Sequence, residues 1–243
     1  MRIHQDIQNN KGVEMYTDNQ FLAKIKPYVI ADRNMNKICA SLTAAQAFIE
    51  SDKGNSGLTK KANNLFGMKG TYEGNYVQMY TKEYQLGHYV TVLAKFRKYP
   101  SWKKSIDDHS SLFNRLDRYK NLRSQYDYKL ATQYVKQDGY ASDPDYTKVL
   151  REHIEKYKLF LWDYDENPYR KPATYVKKGM QGNTVKWVQW QLACAGYDVA
   201  PDGIAGSKTD GAIRAFQKTH NCGPVDGIAG PKTIAELEKV VNK

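Results

Sequence analysis

Two copies of one short frame stand 24 residues apart near the end of the chain: PDGIAGSKT from Pro201 and VDGIAGPKT from Val225, sharing the core DGIAGxKT. A short repeat recurring at a fixed period marks one small structural unit used twice, and this constrains the fold more than any other feature of the sequence. Asp202 and Asp226 each precede a glycine, which is turn chemistry. Each copy is followed by one apolar helix face, Ala212, Ile213, Ala215 and Phe216 in the first case and Ile234, Leu237 and Val241 in the second. Thr209 and Thr233 are placed to cap those helices. An earlier segment, TVKWVQWQLACAG, sets Val185, Val188 and Leu192 on one face and stops at Gly196. Residues 176–243 are therefore expected to form a module of three short helices joined by glycine-rich turns.

Upstream, residues 163–175 (DYDENPYRKPATY) combine acidic residues and two prolines without apolar periodicity, and read as a linker. The 243-residue chain then has room for a larger first domain over residues 18–162, preceded by an extension over residues 1–17. Phe21, Ile25, Tyr28 and Val29 share a helix face, and SLTAAQAFIESDKGN begins with candidate caps at Ser41 and Thr43 and ends near Gly54, which puts Glu50 in the last turn of a helix. YVQMYTKEY has the alternation of a strand or hairpin, after which helical periodicity is expected over 89–98, 106–119, 128–137 and 146–161. The fold class expected is mainly α, with one small β-hairpin.

The net charge is +11, most of it before the linker, and 19 Tyr and 4 Trp supply aromatic planes. Such a chain attracts polyanions and accommodates sugar rings. No zinc finger, helix-turn-helix or RNP-like motif accompanies the charge, so nucleic acid is not the expected partner. No stretch approaches the roughly 20 apolar residues of a membrane span, and the first residues lack the apolar core of a secretory signal. Three cysteines, Cys39, Cys194 and Cys222, read as free and largely buried thiols, a bridge between Cys194 and Cys222 being the minor alternative. The five histidines show no HExxH or comparable spacing, so no metal and no organic cofactor is expected.

Glu50 closes a helix beside Phe48 and Ile49, where the negative end of the macrodipole and loss of water both raise a carboxyl pKa. A carboxylic acid kept protonated near neutral pH is what glycosidic cleavage requires. The segments AAQAFIESDKGNS, NNLFGMKG, TKEY and GYASDPDY, in that order, resemble glycoside hydrolase family 73, over about residues 18–160. The frame of Gly182, Val185, Gln189 and Leu192, followed by DGIAGSKT, AIRAFQK and DGIAGPKT, is similar to the peptidoglycan-binding-domain-1 family over about residues 177–241.

The resemblance implies a lysozyme-like α+β catalytic domain that is an endo-β-N-acetylglucosaminidase, a hydrolase of the β-1,4 bond between N-acetylglucosamine and N-acetylmuramic acid, joined to a wall-binding module. It implies Glu50 as general acid, Glu83 as the second carboxylate, and Tyr140 as a cleft tyrosine that positions the acetamido group or stabilises developing charge. Attack by the substrate's own acetamido oxygen is the route that needs no second carboxylate. Asn63, Asn64, Phe66 and Gly67 are expected at the cleft wall, and Asp143 as a substrate contact or a structural cap. Ser142 stands where the family has Thr. The expected partners are the glycan strands and stem peptides of peptidoglycan, together with anionic wall polymers. The expected place of action is the bacterial wall, reached by an endolysin of phage origin released from the cytoplasm or by an autolysin. A muramidase or lytic transglycosylase of the same fold, or a non-catalytic wall-binding protein, are the competing expectations.

Overall fold

The computed structural model describes residues 15–85, 88–164 and 166–241, apart from the side chains of residues 83–85 and 89. The chain divides into two compact units, with the boundary between Asp163 and Tyr164.

The first unit is built round one buried helix. Helix α1 (Asp18–Asn36) starts at a capping box in which Thr17 and Gln20 satisfy each other's backbone N–H groups. Tyr16, within the stretch expected to be an extension, is already part of the fold. Its N–H donates to Asn55 Oδ1 at 2.9 Å and its carbonyl accepts from Asn55 Nδ2 at 3.0 Å. Helix α2 (Ala40–Glu50) is buried from Ala40 through Phe48 and packs against α1. Its alanines at 40, 44, 45 and 47 keep its girth small, so neighbouring helices approach from several sides. Neither Ser41 nor Thr43 caps it, for the helix begins at Ala40 after Cys39, with no capping side chain from its own segment. The cap comes from 122 residues away, where Asp163 Oδ1 accepts from the Ser41 N–H at 2.9 Å. Asp163 is thus a core residue of this unit and not the first residue of a linker. Burial raises its carboxyl to a pKa of about 7 against the opposing pull of the Ser41 bonds.

After the short helix α3 (Gly57–Ala62) the chain forms an antiparallel hairpin, β1 (Tyr76–Gln85) and β2 (His88–Arg97), in register from Tyr76 opposite Arg97 to Gln85 opposite His88. The second strand replaces the helix expected over 89–98. Val92, Ala94 and Phe96 alternate inward while Thr91, Leu93 and Lys95 face out, a period of two that the β-branched residues favour. Val77, Met79, Ala94 and Phe96 close on Leu58 and Ala62 of α3. Helices α4 (Trp102–Arg115), α5 (Tyr128–Gln137) and α6 (Tyr146–Lys156) complete the unit, with α4 against α1, and α5 and α6 against α2.

The second unit holds α7 (Asn183–Cys194), α8 (Ser207–His220) and α9 (Pro231–Val241). Residues 164–175 are not a free tether: Tyr164 and Tyr169 meet the edge of Trp190, and Asn167 donates to the Trp187 carbonyl. The repeat has a physical cause in two matching clasps. The buried amide of Gln189 on α7 donates to Asp202 Oδ1 (2.7 Å), Ile204 O (3.1 Å) and Thr209 Oγ1 (3.0 Å), and accepts from the Gly203 N–H (2.8 Å). Gln217 on α8 repeats the pattern with Asp226 (2.9 Å), Ile228 O (2.9 Å), Thr233 (3.3 Å) and the Gly227 N–H (3.1 Å). Gly203 and Gly227 hold φ of 81° and 73°, a left-handed turn that glycine adopts without strain. Thr209 and Thr233 consequently lie inside their helices as clasp partners instead of capping them. None of Cys39, Cys194 and Cys222 is in a disulfide, and only Cys39 is fully buried.

Each clasp satisfies several buried polar groups through one side chain, so removing it orphans them together. Gln189→Ala and Gln217→Ala are each expected to cost about 2–4 kcal/mol, read by urea denaturation of the full chain through its tryptophan fluorescence. A loss below about 0.5 kcal/mol, the scale of an ordinary surface substitution, would show that the clasps do not hold the turns.

Candidate active site

Glu50 is the last residue of α2, half-buried at the helix's C-terminal end. The turn that follows is fixed by Ser51, whose hydroxyl donates to the Ala47 carbonyl at 2.6 Å and accepts from the Gly54 N–H at 2.8 Å. Gln46 lies one helical turn earlier, on the same face. Both converge on one phenol: Gln46 Nε2 donates to Tyr146 Oη at 3.1 Å, and Tyr146 Oη donates to Glu50 Oε1 at 3.3 Å. Burial raises the Glu50 pKa, and the Tyr146 bond opposes the rise without cancelling it. The phenol occupies one carboxyl oxygen and leaves Oε2 to carry a proton.

Tyr146 begins α6, and its N–H is anchored to the Asp143 carbonyl at 3.2 Å. Asp143 is exposed, and its own carboxylate accepts from the Asp145 N–H at 2.9 Å, a local turn that sets where α6 starts. The Tyr146 ring stacks on Tyr140 with centroids 6.0 Å apart. Tyr140 Oη lies 3.1 Å from His109 Nε2, and His109 stacks flat on Phe66 at 3.8 Å. His109 is wholly buried, which lowers its pKa to about 3 and keeps it neutral. Glu50, Tyr146, Tyr140, His109 and Phe66 thus form one continuous line of contact.

The remaining expected residues fall elsewhere. Asn64 is buried with its amide committed to its own loop, accepting from the N–H groups of Phe66 and Met68 and donating to the carbonyls of Met68 and Arg97. This organises the loop that carries Phe66 and leaves no side-chain group on Asn64 to face a ligand. Asn63 ends α3 in a left-handed conformation and donates to the Tyr99 carbonyl at 3.0 Å. It borders a cavity of about 650 Å³ along α1 and α3, lined also by Tyr16, Lys24 and Trp102 and by none of the five residues above. Gly67 takes a left-handed φ of 64° where the loop turns behind Phe66. Glu83 stands on β1 opposite Val90, and its side chain lies outside the described residues.

A family match covers residues 26–159, the family being described as mannosyl-glycoprotein endo-beta-N-acetylglucosaminidase. The chain belongs to the glucosaminidase family. A second match, to a putative peptidoglycan binding domain, covers residues 181–237. The exo-glucosaminidase LytG of Bacillus subtilis is 46% identical over 137 residues, which are 54% of this chain and 48% of that protein. A probable N-acetylmuramidase of Lactococcus lactis is 35% identical over 149 residues, 58% of this chain and 33% of that protein. The catalytic domain of the autolysin Auto from Listeria monocytogenes is similar in structure, with a TM-score of 0.57 and 31% identity over 62% of this chain and 91% of that domain. The chain spans about half the length, or less, of these curated relatives. The glucosaminidase unit has the mainly helical, lysozyme-like fold with a two-stranded sheet that the sequence led one to expect.

Gln46, Tyr146 and His109 were not singled out from the sequence. Gln46 was visible as the residue one turn before Glu50, and Tyr146 closes the GYASDPDY segment. His109 carries no local signal, because its role is set by Tyr140, 31 residues away.

A Glu whose pKa is raised by folding favours the folded state while protonated and disfavours it once ionised. That contribution is whole below the ordinary Glu value of 4.5 and is lost as pH rises through the raised value. Glu50→Gln is therefore expected to melt at a higher temperature than wild type at pH 7, with the difference vanishing below pH 4.5. Parallel thermal melts across that range check this, and a wild-type advantage at pH 7 would contradict the desolvated carboxyl.

Proposed function

We propose that the chain hydrolyses bacterial peptidoglycan at the β-1,4 bond between N-acetylglucosamine and N-acetylmuramic acid, with Glu50 as general acid. The observation that carries this reading is the carboxyl of Glu50 at the end of a buried helix, its pKa raised and one oxygen engaged by Tyr146, leaving the other to protonate the leaving oxygen. As the proton moves to the glycosidic oxygen the C1–O bond breaks, and positive charge develops on the N-acetylglucosamine ring. In this reading Tyr140, stacked on Tyr146, positions the acetamido group of that sugar or stabilises the developing charge. Three routes complete the reaction: Glu83 activates water, Glu83 attacks C1 and water then hydrolyses the glycosyl-enzyme, or the acetamido oxygen attacks C1 and water opens the resulting ring. Loss of activity in Glu83→Gln comparable to that in Glu50→Gln selects a route through Glu83 over the acetamido route.

Hydrolysis of this bond leaves N-acetylglucosamine at the new reducing end. Reduction of digested walls with borohydride followed by amino-sugar analysis is expected to yield its alditol, with turnover falling about 100-fold or more in Glu50→Gln. N-acetylmuramic acid at the new reducing end would establish the reaction that the name of the Lactococcus relative describes, and its 1,6-anhydro form a transglycosylase.

The second unit retains the enzyme on its polymer, and the net charge of +11 favours the anionic polymers of the wall. Truncation after Asp163 is expected to reduce sedimentation with intact walls by about tenfold while soluble fragments are cut at close to the full-length rate. Equal sedimentation of the two forms would remove the module from wall retention.

A further inference from the structure

The hydroxyl of Tyr140 has one described hydrogen-bond partner, His109 Nε2 at 3.1 Å, and the direction of that bond decides what Tyr140 offers a substrate. His109 is enclosed by Phe66 on its face and by the edges of Phe113 and Tyr140. Its other nitrogen, Nδ1, is buried with no hydrogen-bond partner among the described residues. A neutral imidazole carries one N–H, so two arrangements exist. If Tyr140 donated to Nε2, the proton would sit on Nδ1 and a buried N–H would be orphaned. If Nε2 carries the proton and donates to Tyr140 Oη, the unpartnered atom is a bare acceptor. Orphaned buried N–H groups are the rarer and costlier kind. Resting on the reading of Tyr140 as a cleft residue, we infer that His109 is a positioning residue of the reaction: its Nε2–H donates to Tyr140 Oη and so frees the Tyr140 proton to be donated to bound substrate.

The arrangement does more than hold a ring. A hydroxyl that accepts a hydrogen bond becomes a better donor, because successive bonds polarise one another. The flat stack on Phe66 fixes the imidazole plane, and with it the side of the phenol from which the donor arrives. NNLFG therefore serves the site through Phe66, which reaches Tyr140 by way of His109, and Asn64 serves it by fixing the loop that carries Phe66. Because His109 stays neutral, it places no cation near Glu50 that would drain the acid of its proton.

Two substitutions separate positioning from packing. Gln at 109 places an amide near the Nε2 position but lacks the ring, whereas Phe keeps a stacking ring and lacks the donor. On un-cross-linked soluble glycan strands, His109→Gln is expected to keep kcat within about 3-fold of wild type and His109→Phe to lose about 10-fold, with little change in KM. In a Tyr140→Phe background, itself down about 100-fold, the His109→Phe effect is expected to shrink below about 2-fold. Retained activity in His109→Phe with loss in His109→Gln, or additive losses in the double variant, would overturn the positioning role in favour of packing. Wild-type turnover in Tyr140→Phe alone would instead remove Tyr140 from the reaction, a separate failure. Long-range ¹⁵N–¹H spectra of the unsubstituted protein give the tautomer directly: a protonated Nε2 is expected, and a protonated Nδ1 would reverse the bond.

Discussion

Burial of α2 is the constraint on which the first unit depends. A helix surrounded along nine consecutive residues has no water at its sides and little at its ends, so its unpaired backbone groups must be satisfied by the protein. Asp163 supplies an acceptor at the N-terminal end, and the last residues of the unit are thereby tied to its centre. At the other end Ser51 closes the turn, and the helix delivers Glu50 where the dipole and desolvation both act against ionisation. One element thus explains the stability of the unit and the chemical state of the carboxyl it presents.

Buried polar groups that find only part of their hydrogen bonding are costly, and the first unit holds several: Gln46 Oε1, His109 Nδ1 and Asp163 Oδ2. His109 belongs to the line that ends at Glu50, and Gln46 bonds to Tyr146 within it. Their incomplete satisfaction fits a site where side chains are held for what they do to a neighbour more than for the stability they add. Asp163 is different in kind. Its carboxyl caps the helix despite the penalty of burial, because an uncapped N-terminus inside the core would orphan a backbone donor instead.

How much was legible in the sequence follows the range of the interactions. The repeat, most of the module's helix faces and the position of Glu50 are readable because turns, apolar periodicity and helix ends are local; Ala215, expected on the apolar face of α8, is exposed. The caps were misassigned because their partners are distant or differently employed: Asp163 reaches Ser41 across 122 residues, and the two threonines answer glutamines on the preceding helices. The β2 segment was misread because VTVLAKF supports both periods, and only pairing with β1 and closure on Leu58 and Ala62 choose the strand. Asn64, expected at the cleft wall, spends its amide on backbone groups, because the donors and acceptors of an amide serve a loop fully.

The placement of charge resolves an apparent conflict between binding and catalysis. A net charge of +11 favours approach to anionic surfaces, but a cation beside Glu50 would stabilise its carboxylate and oppose the upward shift that burial imposes. The side chains in line with Glu50 are neutral: a phenol, an amide, a second phenol and an imidazole too deeply buried to charge. Surface lysines act through solvent, where salt screens them beyond about 10 Å. Desolvation acts only where water is excluded, and it dominates at the end of α2. A strongly basic protein can therefore hold a carboxyl pKa above its ordinary value, because the long-range field of its charges and the local effect of burial operate at different depths.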